Sequence, residues 1–120
     1  MEKEDNMSIM DYFRHPHDLK NLSPSEVNEL SKNGNLSVID VRTRFEFNNG
    51  HIDKSLHYPL GHEKEIAKLF GAGNKIVLVC KTGHRSRAAA NRLQRMGITN
   101  LQHLEGGIDK WRKENLPLTR

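Results

Sequence analysis

The chain has 120 residues, 19 Lys and Arg against 15 Asp and Glu for a formal charge of +4, and 35% hydrophobic positions. That size admits one small domain with a single core and excludes a second full one. The charge is modest and no block of like charges occurs, which argues against nucleic acid as a partner. Its longest apolar stretch, Ile76-Val77-Leu78-Val79-Cys80, is far short of the ~20 residues of a membrane span. Residues 1 to 5 carry three acids and no apolar segment follows them, so no secretion signal is expected and the cytoplasm is the expected location. With one cysteine, the chain can form neither an internal disulfide nor a multi-cysteine zinc site.

Residues 1 to 20 show little periodicity and read as a flexible or loosely docked extension, with the domain proper over 21 to 120. Order begins at Leu22. Ser23-Pro24-Ser25-Glu26 combines an N-cap serine, a proline at the first helical position and a glutamate at the third, a capping box that Leu22 and Val27 would flank as a hydrophobic staple. The helix should end at Asn33-Gly34. Residues 36 to 41 form an apolar run of the kind that becomes a buried strand. Residues 55 to 58 are a weaker strand candidate. Residues 63 to 70 place Ile66, Leu69 and Phe70 on one helical face, and Gly71-Ala72-Gly73-Asn74 should break it. Residues 76 to 79 make the strongest strand.

Residues 86 to 96 read as a helix with Ala89, Leu93 and Met96 inward and Arg87, Arg92 and Arg95 on a solvated face that could steer anions or an acidic partner. Residues 101 to 104 make a last strand. Gly106-Gly107 makes a turn, and residues 108 to 114 a closing helix whose Trp111 should pack inward. The alternation of strands and helices predicts an α/β domain with a mostly parallel sheet. No large apolar stripe is left over, so a monomer is expected.

The chemistry concentrates in Cys80-Lys81-Thr82-Gly83-His84-Arg85-Ser86. A thiol ends a central strand there, a short glycine-containing loop follows, and a helix begins, and in open α/β sheets that edge is where ligands bind. Loop amides and the helix N-terminus would converge on the sulfur, with Lys81 and Arg85 adding full charges. Such surroundings bring a cysteine from ~8.5 into the ~3.5–7.5 range, which makes the thiolate the expected resting form. An isolated cysteine after an apolar strand is most simply an inert core residue. The six residues after it are poor core neighbours but good anion binders, which favours a nucleophile.

Asp40-Val41-Arg42 after a strand, Glu46-Phe47 followed by Gly50-His51-Ile52, the loop from Cys80 to Ser86, and Leu104-Glu105-Gly106-Gly107-Ile108 with Trp111 together resemble the rhodanese-like sulfurtransferases. The resemblance spans residues 20 to 120. It implies a five-stranded, mainly parallel sheet flanked by helices. It also implies a reaction in which Cys80 takes a sulfane sulfur from a donor such as thiosulfate, holds it as a persulfide, and passes it to a thiophilic acceptor such as cyanide or a thiol, with no cofactor. Lys81, Thr82, Gly83, His84, Arg85 and Ser86 would bind the substrate anion. Asp40, Arg42 and Glu46 are better read as a hydrogen-bonded brace than as catalysts. His84 would shape the pocket, since a thiolate needs no general base.

Lys81 stands where the family often has arginine, and Asp53-Lys54-Ser55 replaces its usual Pro-Gly-Ala pattern. Four residues separate Cys80 from Arg85, whereas related cysteine-dependent phosphatases use five to wrap a phosphoryl group, so phosphatase and arsenate reductase activities rank lower. The alternative from another class is a non-catalytic or sulfur-relay module docking on a protein donor or acceptor. A buried Cys80 would favour docking, and convergent loop amides would favour catalysis. The histidine pairs His15 with His17 and His57 with His62 lack the spacing of metal ligands on one helix face, so no metal site is expected.

Overall fold

The computed structural model describes residues 9–13, 15–16, 18–34, 36–70 and 75–120. Five strands form one sheet, β1 (Lys20–Leu22), β2 (Ser37–Asp40), β3 (Leu56–His57), β4 (Ile76–Val79) and β5 (Leu101–Leu104), in the order β1-β5-β4-β2-β3. Every pairing in it is parallel. Among the described residues, α2 (Pro24–Lys32), α3 (Arg44–Asn48), α4 (Glu63–Phe70) and α5 (His84–Arg95) connect successive strands, while α1 (Met10–Phe13) precedes β1 and α6 (Gly107–Lys113) follows β5.

Side chains alternate across a strand, so a strand covered on both faces divides its apolar residues between two cores. β4 does this: Ile76, Leu78 and Cys80 join Ile66, Ala89 and Leu93 on the α4 and α5 side. Val77 and Val79 join Val27, Ile108 and Trp111 on the α2 and α6 side. The alternation therefore turns Cys80 toward α5.

The capping box at Ser23 forms as expected, with Glu26 N–H donating to Ser23 Oγ and Ser23 N–H to Glu26 Oε1. The buried Trp111 donates its Nε1–H to Pro117 O at 2.9 Å. The expected break at residues 71 to 74 lies outside the described residues. In α4 the inward face is Glu63, Ile66, Ala67 and Phe70. Leu69, expected inward, is 59% exposed. Buried Glu63 takes the place in that stripe, because Arg92 of α5 lies opposite at 3.3 Å. Arg92 is accordingly only 5% exposed, which corrects its assignment to a solvated face.

Ahead of β1, α1 packs on α5, with Asn91 Nδ2 donating to Asp11 O and Arg95 bridging to Asp11 at 3.0 Å. Leu19 is buried in the α5-side core. Among the described residues, no helix is long and apolar enough to cross a membrane and no three His, Cys, Asp or Glu are grouped to hold a metal ion. His57 Nε2 lies 2.7 Å from Arg42 O and His62 Nδ1 3.0 Å from Pro59 O.

Candidate active site

Cys80 is the first residue past β4, at the carboxyl edge of the sheet. Gly83, with φ of 110°, caps α5 in a left-handed conformation that most side chains avoid. This turn aims two amides at one atom: Gly83 N–H donates to Cys80 Sγ at 3.0 Å and Ser86 N–H at 3.3 Å. α5 is a 12-residue helix, and its positive end adds to their effect. The sulfur itself is fully buried.

The far side of the loop is tied to α6, where Ile108 N–H donates to Cys80 O at 2.8 Å and Asp109 N–H to Lys81 O at 3.0 Å. With both carbonyls held there, the start of the loop is fixed while the Gly83 and Ser86 amides face the sulfur. This contact explains Gly106-Gly107 better than a simple turn does: a Cβ on Gly107 would collide with the Lys81 carbonyl, and its φ is already +64°. Gly107→Ala is therefore expected to lower stability by about 2–3 kcal/mol, from backbone strain plus displacement of the loop. Urea unfolding measures the loss. A variant as stable as the parent would show that the loop moves aside freely.

The two expected charged binders both have carboxylate partners. Arg85 meets Glu46 with paired bonds at 2.7 and 2.9 Å. Lys81 Nζ lies 3.0 Å from Asp109 on the exposed rim. Thr82 Oγ1 and His84 Nδ1 are 3.2 Å apart, also on the rim. Asp40 and Arg42 form a buried pair at 2.8 Å beside the loop, touching neither Cys80 nor Arg85 by hydrogen bond. Arg42 Nη2 also donates to Gly50 O at 2.8 Å, closing the segment that carries α3. Of the three bracing residues, Glu46 alone reaches the loop directly.

The Arg85 hydrogen bonds lower the Glu46 carboxyl from 4.5 to about 2, against a smaller opposing effect of burial, with Thr43 helping. A carboxyl depressed in the folded state contributes stability that is full above its unfolded value and is lost as pH falls toward the folded one. The window is thus about pH 4.5 down to 2. Glu46→Gln is expected to be less stable than the parent at pH 7, with the gap narrowing below pH 4.5. Denaturation midpoints across that range test it, and a constant gap contradicts it.

Two residues outside the expected set lie behind the sulfur. Ser86 Oγ sits 3.5 Å from Cys80 Sγ and 2.7 Å from Nδ1 of buried His103, whose Nε2 is 2.6 Å from Asn21 Oδ1. A histidine within Leu101-Gln102-His103-Leu104 was the available signal, a polar residue that this strand buries while Gln102 beside it is half-buried.

A family model described as a rhodanese-like domain matches residues 23–114. A thiosulfate sulfurtransferase, GlpE, of Stutzerimonas stutzeri is 27% identical over 95 residues, covering 79% of this chain and 86% of that protein. An uncharacterised Synechocystis protein is 28% identical over 99 residues, 82% of this chain but only 55% of its own length. The crystal structure of a rhodanese-related protein from Thermoplasma volcanium superposes with a TM-score of 0.73 at 31% identity, covering 83% of this chain and 97% of that one.

Proposed function

This chain belongs to the family of rhodanese-like domains, and from that membership and the loop geometry we propose a sulfurtransferase that works through a persulfide on Cys80. The thiolate attacks the outer sulfur of a donor such as thiosulfate, a new S–S bond forms, and sulfite leaves with the electron pair of the old one. A thiophilic acceptor such as cyanide or a thiol then takes the outer sulfur, and the thiolate returns. The observation that carries this reading is the convergence of Gly83 and Ser86 amides on Cys80 Sγ. Donors that stabilise a thiolate also suit an anionic persulfide and the departing anion. Arg85, Lys81, Thr82 and His84 line the approach, and an arriving anion would exchange with Glu46 or Asp109 for the two cations. A single thiol that must stay reduced between turnovers fits a cytoplasmic setting.

Burial of Cys80 favours a second reading, a sulfur relay in which a docked protein donor or acceptor opens the loop. Intact mass after thiosulfate, and again after cyanide, separates the two. Gain of one sulfur that cyanide removes supports small-molecule transfer. Folded protein with a titratable thiol that gains nothing from thiosulfate or glutathione persulfide would support the relay instead.

A further inference from the structure

The polar chain behind the nucleophile can be resolved into donors and acceptors. Asn21 presents Oδ1, which only accepts, to His103 Nε2 at 2.6 Å, so Nε2 carries a hydrogen. In the neutral ring Nδ1 is then a bare lone pair. His103 is 2% exposed and Ser86 fully buried, so that lone pair needs a protein donor, and the Ser86 hydroxyl lies 2.7 Å away. The same hydroxyl lies 3.0 Å from Gly83 O, but that carbonyl already accepts from Arg87 N–H. The one Ser86 hydrogen therefore belongs to His103, and the serine turns a lone pair toward Cys80 Sγ, 3.5 Å away.

We propose that His103 is a positioning residue acting through Ser86, holding the serine hydrogen away from the sulfur so that the thiolate accepts hydrogen bonds from the two loop amides alone. The proposal rests on the reading of Cys80 as the nucleophile. Its use is kinetic: a thiolate with fewer hydrogen bonds is the better nucleophile, while in the persulfide the charge moves to the outer sulfur and Sγ no longer needs the serine. Burial first, then the charges of Arg87 and His15, lower the His103 ring from 6.5 to about 4, so it is a neutral acceptor at physiological pH. The His15 ring faces it edge-on at 6.1 Å. Around the sulfur, Arg85 interacts electrostatically with Cys80, and Lys81 is engaged by Asp109.

The test is the pH profile of iodoacetamide alkylation, unambiguous in a chain with one cysteine. In His103→Leu the acceptor is gone and the Ser86 hydrogen can turn to the anionic sulfur. In Asn21→Asp the carboxylate favours a doubly protonated ring, which donates to Ser86 and releases the same hydrogen. Asn21 is exposed on an edge strand, so this variant keeps the experiment decisive if His103→Leu fails to fold. Each folded variant is expected to move the alkylation midpoint down by about one pH unit, to alkylate only about threefold faster well below it because the gain in thiolate is partly offset by its weaker nucleophilicity, and to show no shift in a Ser86→Ala background. An unmoved or raised midpoint overturns the proposal, and so does a shift that survives without Ser86. A raised midpoint is what the negative charge added by Asn21→Asp would produce by its field alone. Because alkylation needs no sulfur donor, failure of wild-type protein to load sulfur would count against the sulfurtransferase reading and leave this one standing.

Discussion

Cys80→Ala is expected to lose sulfur loading entirely, and Cys80→Ser is expected to lose it equally while remaining the more stable of the two. In the parent, Sγ accepts from Gly83 N–H and Ser86 N–H in a fully buried site. Alanine removes that acceptor and strands two donors, at about 1–3 kcal/mol for each buried group left unpaired. A serine hydroxyl occupies the same place and can still accept, so most of the loop geometry survives. Oxygen cannot carry the transferable sulfur as a persulfide does, so the retained geometry confers no activity. Intact mass after thiosulfate and urea unfolding of both variants read out the two halves. Sulfur gained by folded Cys80→Ser would place the reacting group elsewhere and defeat the proposed mechanism.

The pair of variants also shows why the loop is legible in the sequence. Cys80 to Ser86 is local: the strand before it, the glycine within it and the helix after it are neighbours in the chain, and each carries its own pattern. The same holds for the apolar run of β4 and for the Ser23 capping box. β1 has three residues, Lys20-Asn21-Leu22, with one buried side chain, too short for any period to show. α3 has five residues and none buried, although Thr43 and Glu46 form a second capping box that the residue spacing could have revealed. Other features depend on elements far apart in sequence. Glu46 meets Arg85 across 39 positions, and Asn21 meets His103 only because β1 pairs with β5. Arg92 reads as solvent-facing because a helical face names its own residues but not the partner opposite, here Glu63. The resemblance to rhodanese-like proteins implies five strands where the pattern alone shows four.

Asp40→Ala is expected to destabilise the protein by about 3–5 kcal/mol, a large share of the roughly 5–15 kcal/mol that holds such a domain together. Asp40 is 1% and Arg42 3% exposed, and the carboxylate accepts from the Arg42 side chain at 2.8 and 2.9 Å and from its backbone N–H at 3.0 Å. Removing it leaves a buried guanidinium whose remaining bond is to Gly50 O. Adding Arg42→Leu removes that uncompensated charge, so Asp40→Ala/Arg42→Leu is expected to recover much of the loss in urea unfolding. A single variant losing less than about 1 kcal/mol would mean that water reaches Arg42 and the pair is effectively exposed. The site should respond along with the fold. Arg42 closes the segment that carries Glu46 through its bond to Gly50 O, and Glu46 holds Arg85, so the double variant, which loses that bond, is expected to load sulfur more slowly than the parent even where fully folded. The double variant separates the effects: it regains stability by losing a buried charge, but it gives up the Arg42 bond to Gly50 that Asp40→Ala keeps. Loading restored together with stability would show that Glu46 is held in place without that bond.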